Sequence, residues 1–299
     1  VFAPAVTSYF FLFDDYRLFG QAMGLTLVEL ASQPHFLYFR PVVHLWAAVE
    51  AAVFGWSLPM GYAAVSLALH ASNAALLVGL LQKLGLSSRA RGMAGLIFFT
   101  APWSLEAVFW ASCRFELLAA MFALLAGHCM AVARKAPGSR SSWALFALCG
   151  LAFASKETAL ACALAWLLLT RLGPAAWQGW RPAARPVLGA ALVYLMCRWL
   201  SMAIYVTPDP LLGHRGNLLA LLWGGGALAN GLAHLGALLW PPISEPYGLL
   251  RWGYAAAMTL GMGAAVWRAP KAAFACLAAS AVVLAPALWL EREVGSTAG

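Results

Sequence analysis

The chain of 299 residues is 63% apolar and 10% charged, with a net charge of +8 and a mean hydropathy of +0.78. Ordinary soluble domains are roughly a quarter charged, so this composition excludes a water-soluble globular enzyme. Its 14 Trp, 8 Tyr and 16 Phe exclude a solvated disordered chain as well, and what remains is a polytopic, all-α membrane protein.

In chain order, the run Val1 to Phe13 is too short to cross about 30 Å of hydrocarbon at about 1.5 Å per residue. Because the chain does not open on Met, we expect the natural N-terminus to lie upstream, and the close at Glu291 to Gly299 is read as a second truncation. With no basic leader and no small-residue cleavage site before Asp14 and Asp15, the first run is not a signal peptide. Apolar runs place spans near 1–13, 60–82, 92–110, 115–133, 142–155, 158–171, 186–205, 253–267 and 272–290, about nine in a single membrane domain over 1–299.

Charge orients them. Lys83, Arg89 and Arg91, then Arg134, Lys135 and Arg140, then Arg171, Arg181 and Arg185, then Arg268 and Lys271 occupy alternate loops that hold no acidic residue. All eleven acids fall in the other loops. By the positive-inside rule the basic loops are cytoplasmic and the acids face outward. The partition requires 14–59 to be a long external loop, with 41–56 a juxtamembrane helix, and 206–252 to be external with 217–240 re-entrant or, equally, spanning. Trp103, Trp143, Trp177, Trp180, Trp252 and Trp289 stand where an interfacial belt would. The basic residues form short clusters between spans and not one continuous face, so they do not indicate nucleic acid. Six single cysteines (Cys113, Cys129, Cys149, Cys162, Cys197, Cys276) form no CxxC pair and read as small buried apolar residues.

Ionisable residues at a membrane face are costly and are functional candidates by default. Four external clusters qualify. Asp14 and Asp15 are adjacent carboxylates that repel, which suits a general base or a cation site, or else a span end capped in water. Arg40 precedes Pro41 at the entrance of the juxtamembrane helix, available to a phosphate, to Asp14 or Asp15, or to the interface. Glu106 closes one span while Arg114 and Glu116 open the next, which suits a site or a structural ion pair. Lys156 and Glu157 lie between two short spans, where Lys156 can meet a lipid phosphate. His70 lies within a span, as packing or supporting polar residue, and Arg198 is an intramembrane Arg that needs a partner or an anionic ligand.

The order of these motifs resembles the GT-C glycosyltransferases that use polyprenyl-phosphate sugars, in particular the dolichyl-phosphate-mannose protein O-mannosyltransferase type and its bacterial relatives. The resemblance runs from Phe13 to about Ser244 and rests on Asp14-Asp15, Tyr38-Phe39-Arg40-Pro41, Ser66 to Asn73, Pro102 with Glu106, Arg114 with Glu116, Lys156-Glu157 and Leu239-Trp240-Pro241. The family often has His where Ala101 precedes Pro102, and Asp at the Glu116 position. The resemblance implies a GT-C helical bundle whose first external loop carries juxtamembrane helices. It implies Asp14 or Asp15 as the catalytic carboxylate, Arg40, Arg114, Lys156 and Arg198 as donor-phosphate ligands, and Glu106, Glu116, Glu157 and His70 as supporting polar residues. It also implies a polyprenyl-phosphate sugar donor, possibly of mannose, a protein or glycolipid acceptor, and a bacterial inner membrane with the site on the periplasmic face. Some members use a divalent metal at the first-loop acid, but no ligand set stands out here and none is assigned. A transporter or lipid flippase, or an inactive polyprenyl-lipid-binding scaffold, is the competing expectation.

Overall fold

Why the first helices form is local chemistry. The computed structural model describes residues 11, 13–34, 38–101, 104–133, 139–163, 167 and 183–205. Helix α1 (Phe13–Gly24) opens with Asp14 and Asp15 in its first turn, where negative charge complements the helix dipole. Helix α2 (Leu27–Ser32) opens with a capping box in which Thr26 and Glu29 satisfy each other's backbone donors. Those bonds hold the Glu29 carboxyl below its ordinary range. Helix α3 (Pro41–Phe54) and helix α4 (Pro59–Lys83) each begin on proline, whose missing N–H costs nothing there. The chain turns between them at Gly55, whose φ of +53° suits glycine. A Cβ on Gly61 would fall 2.5 Å from the Phe54 ring, so the two helices close on each other only with glycine at that point.

Helix α5 (Ser88–Thr100) is capped by the Ser87 side chain on Ala90 N. It ends at Ala101, whose extended backbone (φ −59°, ψ 130°) is the conformation that a following proline enforces. A short helix α6 (Ser104–Phe109) and a 3₁₀ turn (Ala111–Cys113) follow. The expected span 92–110 is therefore not one helix: α5 has 13 residues, about 20 Å, it ends before Ala101, and α6 is a separate helix. Helices α7 (Arg114–Ala133), α8 (Ser139–Ser155) and α9 (Ala184–Tyr205) complete the described elements.

Among the described residues there is no strand, and three helical stretches are long and apolar enough to cross a membrane: Pro59–Lys83, Ala111–Ala131 and Ala184–Tyr205. They match the spans expected at 60–82, 115–133 and 186–205. Helix α8 has 17 residues. Of the remaining expected spans, 253–267 and 272–290 lie outside the described residues, as do most of 1–13 and half of 158–171, and so does the expected external segment 206–252. The chain divides into two units, Val1–Ala159 with Pro182–Thr207, and Leu160–Arg181 with Pro208–Gly299. Nearly everything described belongs to the first.

Side-chain contacts set the helix directions. Arg114 at the head of α7 meets Tyr62 and Ser66 near the head of α4, and His128 further on meets the Leu76 carbonyl at 2.8 Å, so α4 and α7 run parallel. Helix α5 returns against α4, with Gly95 on Val78 and the His70 ring 3.1 Å from the Phe99 carbonyl. Helix α8 returns against α7, with the Cys129 thiol on the Ser141 carbonyl at one end and Lys156 on Glu116 at the other. Helix α9 runs with α8, Gly189 beside Phe146 and Tyr194 beside Phe153. Small residues let the backbones approach: a Cβ on Gly127 would lie 2.9 Å from Leu80.

It follows that Lys83, Arg89, Arg91, Arg140 and Arg185 share one end of this helix group. Glu50, Glu116 and Glu157 share the other. The segment 14–59 is tied to that acidic end: Asp15 accepts from Ser112 N, Tyr194 donates to the Phe39 carbonyl and Ser201 donates to the Ser32 carbonyl. An aromatic cluster of Phe11, Phe19, Phe54, Trp56 and Tyr62 anchors it, with ring centroids 4.4–5.8 Å apart, each such pair contributing about 0.5–1.5 kcal/mol. The outer face of α9 stays apolar and uncovered, with Leu192 69% and Ile204 70% exposed, as a lipid-facing surface requires.

Candidate functional site

The two adjacent carboxylates at the head of α1 have different surroundings. Asp15 is fully buried and accepts from the backbone N–H of Ser112 at 2.6 Å, which pins the 3₁₀ turn to α1. Asp14 is half-buried and, among the described residues, has no hydrogen-bond or ion-pair partner. The first turn of one helix thus holds one structural carboxylate and one available one. Among the described residues no group of three or more His, Cys, Asp or Glu side chains is placed to hold a metal ion, and no step is routed through one.

Next to the pinned turn sits Arg114, 1% exposed. Its guanidinium donates to Glu50 at 3.0 and 3.3 Å, to the Tyr62 carbonyl at 3.0 Å and to Ser66 Oγ. Glu50 also accepts from Trp46 Nε1 at 2.9 Å. Burial pushes the Glu50 carboxyl above its ordinary range, with Arg114 and Trp46 pulling the other way. On the same helix α3, burial holds His44 below the usual imidazole range; its ring lies 3.2 Å from the Leu30 carbonyl. Arg114 braces α3, α4 and α7 together through these four hydrogen bonds.

A second, shallower layer surrounds Phe115. Arg40 donates twice to Glu157, at 2.6 and 3.0 Å, and Lys156 pairs with Glu116. Both cations also rest on the Phe115 ring, at 4.3 and 4.9 Å from its centroid, and Arg40 on Tyr38 at 4.3 Å. Burial raises Glu157, but the hydrogen bonds and charge of Arg40, with Lys156 behind them, outweigh it and hold the carboxyl below its ordinary range. Arg198 is in hydrogen-bonding reach of the Tyr194 hydroxyl, which also feels the charges of Glu157 and Arg40.

A cavity of about 540 Å³ opens beside Lys156 and Glu116 and reaches His70 and Asn73 on α4, Phe98 on α5 and Ser104 on α6.

The structure therefore brings Lys156, Glu116 and His70 together at one cavity and Arg40 and Glu157 into one pair. Arg114 stands with Glu50 instead of at an open surface. Glu106 lies on α6, its side chain outside the described residues. Sequence reasoning passed over Glu50 and Asn73 as site residues. The signal for Glu50 was present, since it is the one ionisable acid in an otherwise apolar helix 41–54; its partner, 64 residues away, was not. No protein-family model, no curated protein and no solved structure matches this chain.

Proposed function

We propose that the protein is a multi-pass membrane glycosyltransferase of the GT-C type, moving a sugar from a polyprenyl-phosphate donor to a protein or glycolipid acceptor. The proposal puts it in the bacterial inner membrane with its acidic end at the periplasmic face. One observation carries the reading: a carboxylate with no partner among the described residues, Asp14, and a cavity lined by Lys156 occur at the same end of membrane-length helices. In the proposed reaction Asp14 takes the proton of the acceptor hydroxyl as its oxygen bonds to the anomeric carbon. The bond from that carbon to the phosphate oxygen breaks, and polyprenyl phosphate departs with the electron pair. Lys156 is the cation best placed to meet that charge, because its partner Glu116 is the most exposed of the three paired carboxylates, at 44%, and the most readily exchanged. Neutralising a departing anion in a water-poor site is a large catalytic term. Arg40 and Arg114 serve as positioning residues and Arg198 as a further cation for the lipid phosphate.

The pairing of Arg40, Arg114 and Lys156 with one carboxylate each favours a second reading, an inactive polyprenyl-lipid-binding scaffold. Sugar transfer in liposomes from a panel of radiolabelled polyprenyl-phosphate sugars separates the two. Transfer by the wild type, lost in Asp14→Asn at equal protein level, supports the enzyme. No transfer from any donor by folded wild type, with donor lipid still bound, favours the scaffold.

A further inference from the structure

Asn73 lies in the middle of α4 and is fully buried. Its Nδ2 donates to the Leu117 carbonyl at 2.9 Å, an acceptor with no proton of its own, so the orientation of the amide is fixed. That leaves Asn73 Oδ1 buried with no donor. The residue lines the cavity, seven positions beyond Ser66, roughly 10 Å further along the helix than the Arg114 brace. An unsatisfied carbonyl oxygen costs most at such a depth, where lipid supplies no donors. Such orphans in native proteins call for a ligand or a water.

The walls define the ligand. The cavity volume lies within the range of about 300–1,000 Å³ typical of small-molecule sites. Phe98 supplies an aromatic ring to the wall, and the buried His70 ring stacks on it with centroids 5.2 Å apart. Glu116 and Lys156 face the same space as a neutral pair. A buried acceptor, an exposed carboxylate, an ammonium and a flat ring together match a ring bearing several hydroxyls, which donate to Asn73 and Glu116, accept from Lys156 and lay a C–H face on the aromatics. We infer that Asn73 is a specificity-determining contact that accepts a hydrogen bond from a hydroxyl of a pyranose held in this cavity. The inference rests on the glycosyl-transfer reading for the choice of sugar probes and adds the residue that discriminates among them.

The test is saturation-transfer difference NMR on the full chain in nanodiscs, with methyl α-manno-, gluco- and galactopyranosides and their monodeoxy series. The expected result is binding of at least one hexoside, weakened about tenfold or more when a single hydroxyl is removed. Asn73→Leu should abolish that one discrimination and leave the others. Ala120→Phe, which puts a bulky side chain into the cavity from α7, should remove binding, and an unchanged thermal midpoint in each variant shows that it is folded. The inference is overturned if folded wild type binds no hexoside, so that a water alone satisfies Asn73, or if Asn73→Leu keeps the full deoxy discrimination. Transfer assayed in parallel keeps the two proposals apart. Transfer with unchanged sugar choice in Asn73→Leu overturns this inference and spares the enzyme. Sugar binding that depends on Asn73 without transfer supports this inference and counts against the enzyme.

Discussion

Two layers of charge sit at the same end of this molecule and differ in burial. In the inner layer Arg114 and Glu50 are 1% and 4% exposed; in the outer layer Lys156 and Glu116 are 17% and 44% exposed. The inner pair is closed off by Ser66, Tyr62 and Trp46, and its burial keeps it away from any ligand. In the outer pair water and ligand can compete for each partner, and the pair holds little stability. The same residue types therefore act as a brace at one depth and as an exchangeable contact at another.

The largest effect that would break this contrast is at the brace. Glu50→Leu leaves Arg114 charged and unpartnered in the interior and should cost about 3–5 kcal/mol, while Glu50→Leu with Arg114→Met should recover much of that loss. Thermal midpoints in detergent that fall no further for the single variant than for the double would show that the pair is not a brace.

Next come the adjacent aspartates. Asp15→Ala leaves the Ser112 N–H buried without an acceptor and should destabilise by about 1–3 kcal/mol. Asp14→Asn should change stability by less than about 0.5 kcal/mol and abolish transfer. If stability responds equally to both, the division of labour within that first turn is wrong.

A smaller effect appears as pH dependence. Because Glu157 is held below the ordinary carboxyl value of 4.5, its contribution to stability is full above that value and drains away as pH falls through the lowered one. Glu50 is raised above 4.5, so its contribution is present at low pH and fades as pH rises through the raised value. Arg40→Met should flatten the acid side of the stability profile by removing the cause of the Glu157 shift. A slope between about pH 3 and 5 that is unaltered in this variant would separate Glu157 from Arg40 energetically.

The smallest stability change belongs to Lys156→Ala, at less than about 1 kcal/mol for so exposed a pair. Its weight should fall on donor affinity instead. Titration of polyprenyl phosphate into wild type and variant measures this, and equal affinities would take Lys156 out of the proposed phosphate site.

Much of this arrangement was legible one segment at a time. Pro41 and Pro59 mark helix starts, and the runs 60–82, 115–133 and 186–205 match Pro59–Lys83, Ala111–Ala131 and Ala184–Tyr205 to within a few residues. The end of α5 before Ala101 was not read from the run 92–110, because averaged hydropathy registers apolar content and not where a helix stops. The separation of Lys83, Arg89, Arg91, Arg140 and Arg185 from Glu50, Glu116 and Glu157 followed from counting charges between apolar runs.

Hydrophobic run length, helix-stop chemistry and charge alternation are local properties, and the sequence by itself determined them: membrane-length helices with acids gathered at one end. Which acid meets which cation was decided only by the tertiary structure. Arg40 finds Glu157 across 117 positions and Arg114 finds Glu50 across 64, choices set by parallel α4 and α7 packing with α3 laid across their heads. Burial followed from the same packing. It made Asp15 a strut, left Asp14 without a partner among the described residues, and stranded one oxygen of Asn73, because solvent access depends on what the rest of the chain places alongside.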